Sequence, residues 1–318
     1  MRQDRYRQLS EAEPSIPLFC RPWWLDATAG PENWDVALIE KGRRLQAAMP
    51  YVRRRRYGLS FIGQPVLTQH LGPWLRPAIA GYAQELAQQK DLLGGLIAQL
   101  PKFDHFFQNW SCTQQNWLPF FWSGFQQTTR YTYTLTLTPG PTALWRSFQE
   151  NARRETRKAK ERYRINIRTD LGVERFYSLN KLTFKRQKMP VPYSLDLLNR
   201  IDRACEERDC RRIFFAEDPE GRLHAAAYLV WDENRAYYLM GGGDPALRNS
   251  GAGSLCMWEA IQFAATVSKT FDFEGSMLEP VERFFRGFGA IQTPYFSLTK
   301  TPSRLLRTGL FARDLFRP

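Results

Sequence analysis

Residues 237–290 read YYLMGGGDPALRNSGAGSLCMWEAIQFAATVSKTFDFEGSMLEPVERFFRGFGA, and the fold is decided there. Together with Ala236, Tyr237, Tyr238, Leu239 and Met240 form an apolar run rich in strand formers, which Gly241, Gly242 and Gly243 are expected to cut off. A polar loop leads through Arg248-Asn249-Ser250-Gly251-Ala252-Gly253 into Leu255, Trp258, Ile261, Gln262 and Ala265, whose three- and four-residue steps predict a helix. Residues 270–274 then predict a second strand, with Phe271 and Phe273 on one face and Asp272 and Glu274 on the other. Strand, glycine loop, helix, strand is a device for holding an anion, because glycines allow close backbone approach and a helix start offers unpaired N–H groups and a positive dipole end. The plainer reading is that Gly251 and Gly253 make a tight turn with close helix–strand packing.

At 318 residues the chain has room for two domains, and an apolar fraction of 43% with ten Trp supports packed cores. A formal net charge of +13 favours polyanionic partners (nucleic acid, nucleotide phosphates or an anionic membrane face), although excess charge also serves solubility. Five scattered cysteines include Cys205 and Cys210, whose spacing fits no zinc motif, and the three histidines lie far apart in sequence. No metal is therefore expected. The charged first residues lack an apolar signal core and no window reaches membrane-spanning length, so a reduced, cytoplasmic protein is expected.

Strands are predicted over 34–40 and 45–52, a helix over 82–100 and a strand over 103–110, forming a first α/β unit that ends near residue 130. The four arginines at 53–56 read as a solvated edge or a phosphate contact. A strand at 131–137 precedes one long helix over 143–163. There Arg153, Arg154, Arg157, Lys158, Lys160, Arg162 and Arg164 cover most of the circumference and leave no apolar stripe. So many like charges repel unless something anionic docks, which makes Arg153, Arg157 and Lys160 candidate substrate-binding residues. A strand over 165–169, helices over 173–186 and 194–208, and strands over 212–217 and 223–231 lead back to the opening stretch, and 294–300 supplies the last strand. The domains expected are 1–130 and 131–318.

That element order, with Arg-x-x-Gly-x-Gly between strand and helix, resembles the GNAT acyltransferase fold. The resemblance implies that Arg248, Ser250, Gly251, Ala252 and Gly253 cradle the pyrophosphate of an acyl-CoA co-substrate such as acetyl-CoA. Tyr237-Tyr238-Leu239 with Gly241-Gly242, Trp258-Glu259-Ala260-Ile261, Phe271-Asp272-Phe273-Glu274-Gly275 and Phe284-Phe285-Arg286-Gly287-Phe288-Gly289 resemble the Fem-type branch. That branch implies an α/β (α+β) chain of two GNAT-like halves, each a mixed, mostly antiparallel sheet flanked by helices. The likeness covers 131–300, and the first half only by topology. Fem proteins that use aminoacyl-tRNA generally lack the Gly-x-Gly loop and often carry a helical arm. Here the loop is present and no arm is seen, which points to acyl-CoA, while the basic charge points to tRNA. The acceptor implied is an amino group of a small molecule or an envelope precursor.

Acyl transfer to an amine needs a base, an oxyanion partner and an acid for the leaving group. Glu274, at a strand end, is the first candidate base, and its structural alternative is an ion pair with Arg283 or Arg286. Asp272 and Glu259 are further carboxylates, one of the pair Asp272/Glu274 being expected to face solvent. Tyr238 is the candidate acid, or a packing residue. Arg286, among aromatics, meets a phosphate or snorkels over Phe285. The competing class is a non-catalytic basic module for nucleic acid or membrane. The tail 304–317 alternates apolar residues with arginines, which suits packing on the second half or contact with an anionic membrane.

Overall fold

The computed structural model describes residues 2–77, 81–275 and 277–308. Helices α1 (Arg2–Glu11) and α2 (Pro22–Ala29) come first, the second with Pro22 at a position where no N–H is needed. Strands β1 (Trp34–Lys41), β2 (Arg44–Arg56), β3 (Leu59–Gly63) and β4 (Trp74–Leu75), helix α3 (Tyr82–Ala98), strand β5 (His105–Asn109) and helix α4 (Leu118–Trp122) follow. Then come β6 (Gln126–Thr136), α5 (Gly140–Ser147), α6 (Glu150–Glu161), β7 (Asn166–Arg168), α7 (Val173–Arg186) and α8 (Leu195–Glu206). The last elements are β8 (Arg211–Glu217), β9 (Leu223–Trp231), β10 (Arg235–Gly243), α9 (Ala252–Val267), β11 (Thr270–Asp272), α10 (Glu279–Arg286) and β12 (Ile291–Lys300).

The chain divides into two compact units, one built from residues up to Arg130 with the stretch from Pro294 onward, the other from residues 131–293. In the first unit the strand order is β1-β2-β3-β5-β12, with β4 added on β2. Among the described residues of this unit, only β3 and β5 pair in parallel. Both faces of β2 are buried, which is why it reads as an apolar run: Ala47, Met49 and Tyr51 enter one core, Ala48 and Val52 the other. Arg53, Arg54, Arg55 and Arg56 continue β2 past the cores as exposed positions.

The second unit has the order β6-β11-β10-β9-β8-β7 and is antiparallel except for β10 beside β11. Helix α7 packs on β9 and β10, and α9 packs on β8 and β9.

Four expectations are corrected. The long helix over 143–163 is two, because Phe148 and Gln149 take extended backbone angles. Phe148 is buried against Trp145, Trp258 and Phe288, and the Gln149 N–H reaches Gly287 O at 2.8 Å, contacts no local pattern announces. The basic helix α6 does keep an inward stripe, made of the small residues Ala152, Thr156 and Ala159, with which it packs on α9. The three glycines after Met240 extend β10 rather than end it, pairing with Ala227, Ala226 and Ala225. Residues 297–300 pair with β5, so the last strand joins the first unit, with Leu298 fully buried there. The expectation for the tail beyond 308 lies outside the described residues.

Candidate functional site

The parallel pairing of β10 and β11 lasts only from Arg235↔Thr270 to Tyr237↔Asp272. Beyond it β10 runs on to Gly243, while the chain leaving β11 turns through Glu274 (φ 62) and Gly275 (φ 61). A left-handed φ at a residue with a side chain costs on the order of 1 kcal/mol, and here it steers Glu274 away from the ladder.

The glycines on β10 are there for close approach. A Cβ at Gly242 would sit 2.7 Å from the Asn180 Cα of α7, and one at Gly241 would overlap the Tyr238 hydroxyl. Asn180 Nδ2 donates to Gly241 O at 2.6 Å, and Gly243 N–H donates to Thr183 Oγ1 at 3.2 Å. Docked so tightly, α7 forms one wall of a cavity of about 330 Å³. Arg186, His224, Tyr238, Arg248, Gly253 and Cys256 are among the residues lining it.

Opposite lies the start of α9. Arg248–Ser250 forms one 3₁₀ turn, Gly251 follows in the left-handed region (φ 80), and the helix begins at Ala252. The first-turn N–H groups of a helix lack internal acceptors. Ala252 N–H goes to Ser250 Oγ at 3.3 Å and Ser254 N–H to Gly251 O at 3.0 Å. For Gly253 N–H the described residues supply no acceptor, and a Cβ there would meet no atom within 4 Å. The two motif glycines therefore differ. Gly253 is open, whereas a Cβ at Gly251 would run into the Glu155 carbonyl oxygen of α6. Gly251 is required for its φ and for helix–helix packing, and it does not line the cavity.

Behind the loop lies a buried chain of hydrogen bonds. Asp218 Oδ2 accepts from His224 Nε2 at 2.8 Å, and His224 Nδ1 meets Ser250 Oγ at 2.9 Å. The three residues are 5%, 3% and 2% exposed. Burial alone would raise the Asp218 pKa, but bonds from His224 and Arg222 hold it well below the usual carboxylate range. Tyr238 moves the other way: burial pushes its phenol above the ordinary value, so it keeps its proton. Burial does the same to the Cys256 thiol.

The remaining candidates do not line this cavity. Asp272 and Glu274 are both buried, against the expectation that one faces solvent. Asp272 pairs with Arg235 at 2.7 Å and accepts from Thr132 and from Glu274 N–H, tying together β6, β10 and the end of β11. Arg283 and Arg286 pair with Glu279 and Glu282, the latter at 2.9 Å, rather than with Glu274. Glu259 lies half-buried on α9. On α6, Arg153 and Arg157 both pair with Glu150, while Lys160 and, just past the helix, Arg162 and Arg164 are exposed and make no ion pair among the described residues. Arg186, His224 and Asp218 were missed by sequence reasoning. Their sole signal is three-dimensional, since a hairpin and a loop bring together groups 6 and 26 residues apart.

Residues 146–284 match the family model described as the acetyltransferase (GNAT) domain. The chain is also similar over nearly its whole length to the solved structure of FemX, with TM-score 0.68, 13% identity, and 93% of this chain and 96% of that one covered. The chain has the Fem-type GNAT fold. A tandem GNAT protein from the clavulanic acid biosynthesis pathway aligns over 95% of this chain and 94% of its own, with TM-score 0.52 and 12% identity. The C-terminal domain of a putative lysylphosphatidylglycerol synthetase from Agrobacterium fabrum aligns over 94% and 92%, with TM-score 0.54 and 10% identity. No curated protein matches in sequence. Among the described residues, no cluster of His, Cys, Asp and Glu could hold a metal, and no helix is long and apolar enough to cross a membrane.

Proposed function

We propose that the second unit is an N-acyltransferase, holding acyl-CoA in the cavity beside β10 with its pyrophosphate at residues 248–253. The observation that carries this reading is the open start of α9. Gly253 N–H, the positive dipole end and the Arg248 guanidinium converge on one cavity, with no carboxylate in the first turn of the helix. Tyr238 and Glu274 both stand just past the point where β10 and β11 part. There Tyr238, its proton retained by burial, protonates the leaving thiolate, and the role of base for the attacking amine is assigned to Glu274, which stands at the fork but outside the cavity lining. Asp272, its oxygens committed, positions the strand ends. The acceptor in this reading is an amine of a small molecule or an envelope precursor.

A second reading, an aminoacyl-tRNA donor, is favoured by the charge of +13 and by Lys160, Arg162 and Arg164 at the end of α6, which make no ion pair among the described residues on a helix whose backbone touches the loop at Gly251. Parallel titrations with acetyl-CoA and with charged tRNA separate the two. Binding of acetyl-CoA alone supports the first; binding of charged tRNA alone replaces it with the second.

A further inference from the structure

We propose that Asp218, His224 and Ser250 form a proton relay that couples anion binding at residues 248–253 to the uptake of one proton, with Ser250 as a further ligand of the anion. This rests on the reading of that loop as the phosphate site. The three residues come from the β8–β9 turn, the start of β9 and the loop before α9, so the fold has built the contact across separate segments.

The direction of each bond follows from Asp218. An ionised carboxylate only accepts, so His224 Nε2 carries hydrogen, and the relay starts from the tautomer whose Nδ1 is bare. Ser250 must then donate its hydroxyl hydrogen to Nδ1, while its oxygen accepts from Ala252 N–H. In this state Ser250 has no hydrogen left for a ligand. A phosphate arriving at the loop needs donors. One proton from solvent, added to Nδ1, turns His224 into a donor at both nitrogens. Ser250 Oγ then accepts from His224, and its own hydrogen rotates towards the cavity it lines. No covalent bond other than N–H forms, and the imidazolium charge lies between Asp218 and the incoming anion.

The charged and titratable surroundings suit this. Asp218 faces His224 from the β8–β9 turn and is itself paired with Arg222, and the Tyr163 ring stands edge-on at 6.5 Å after α6. From the loop after β10, Asp244 donates its N–H to His224 O at 3.0 Å, and Arg248 lines the same cavity, as do Arg186 of α7 and Cys256 of α9. Acid, imidazole and hydroxyl in a row is also how a serine nucleophile is activated. Against that role, the Ser250 oxygen already takes the Ala252 N–H.

The test is calorimetric titration of coenzyme A into the full chain at one pH in two buffers of different ionisation enthalpy. The wild type is expected to take up about one proton on binding. His224→Gln is expected to take up none and to bind about tenfold more weakly, with Ser250→Ala weakened similarly, as befits a hydrogen bond to a charged group. Melting curves on both variants report whether they fold, and the two-buffer comparison on wild type stands without them. Equal heats in both buffers overturn the relay and leave the donor site standing. Absence of coenzyme A binding by wild type overturns both readings. An acyl adduct on Ser250 after incubation with acetyl-CoA overturns the relay in favour of a nucleophile.

Discussion

Each unit contains one parallel strand pair joined through a helix, β3–α3–β5 in the first and β10–α9–β11 in the second, and each has a cavity of similar size that its helix helps to line, about 310 and 330 Å³. What lines them differs. The first turn of α3 carries Glu85, a carboxylate that satisfies its own helix dipole, and the nearby Arg76 is neutralised by Glu13. The first turn of α9 carries no acid, Gly253 leaves its face bare, and Arg248 makes no ion pair among the described residues. The strands differ in the same sense. β5 sends Phe106 into an aromatic core, whereas β10 ends in glycines that admit α7 and line the cavity. On the reading proposed above, one backbone device serves packing in the first unit and anion capture in the second, and the side chains at the helix start decide which.

The largest effect is expected from Gly251→Val, which meets both a left-handed φ and the Glu155 backbone. It should cost about 2–4 kcal/mol and lower Tm by roughly 5–15 °C. Differential scanning calorimetry reads it, and an unchanged Tm would break the distinction between the two glycines. Gly253→Asp should do the opposite. An acid in the first turn stabilises a helix by about 0.3–1 kcal/mol, so Tm holds or rises, while coenzyme A affinity falls at least about tenfold through charge and occupancy. Arg248→Ala should weaken binding between about threefold and tenfold without lowering Tm.

How much of this was legible in the sequence depends on the range of the contact responsible. The periodicity of 173–186 and of Leu255 to Ala265 and the apolar runs at 34–40 and 45–52 are local signals, and those elements form, with β2 continuing to Arg56. The break at Phe148 is not local: an aromatic cluster with Trp258 and Phe288 overrides the helical pattern. Nor is the role of the glycines in β10, which depends on the backbone of α7. The Arg-x-x-Gly-x-Gly spacing located the loop but assigned both glycines one job, and only the packing of α6 separates them. Asp218 and His224 had no signal, because the residues between them and Ser250 carry no pattern that predicts their meeting.

Smaller effects sharpen the comparison further. Replacing Arg153, Arg157 and Lys160 together with Gln should weaken an anionic ligand by about threefold and flatten its salt dependence, since two of the three already pair with Glu150. An unchanged salt slope would make α6 a solvated face. The smallest change is expected at Glu85→Gln, which should cost no more than about 0.5 kcal/mol and leave coenzyme A affinity untouched. Loss of affinity there would mean that the first unit, not the second, holds the donor.

The central claim is that the start of α9 binds the phosphates of an acyl-CoA donor. Calorimetric titration of acetyl-CoA into wild type and Gly253→Asp, with a melting curve on each, tests it most directly. The account predicts saturable binding by wild type and an affinity at least about tenfold lower in the variant at an equal or higher Tm. Equal affinity in the two proteins, or a wild type that binds charged tRNA and not acetyl-CoA, would contradict it.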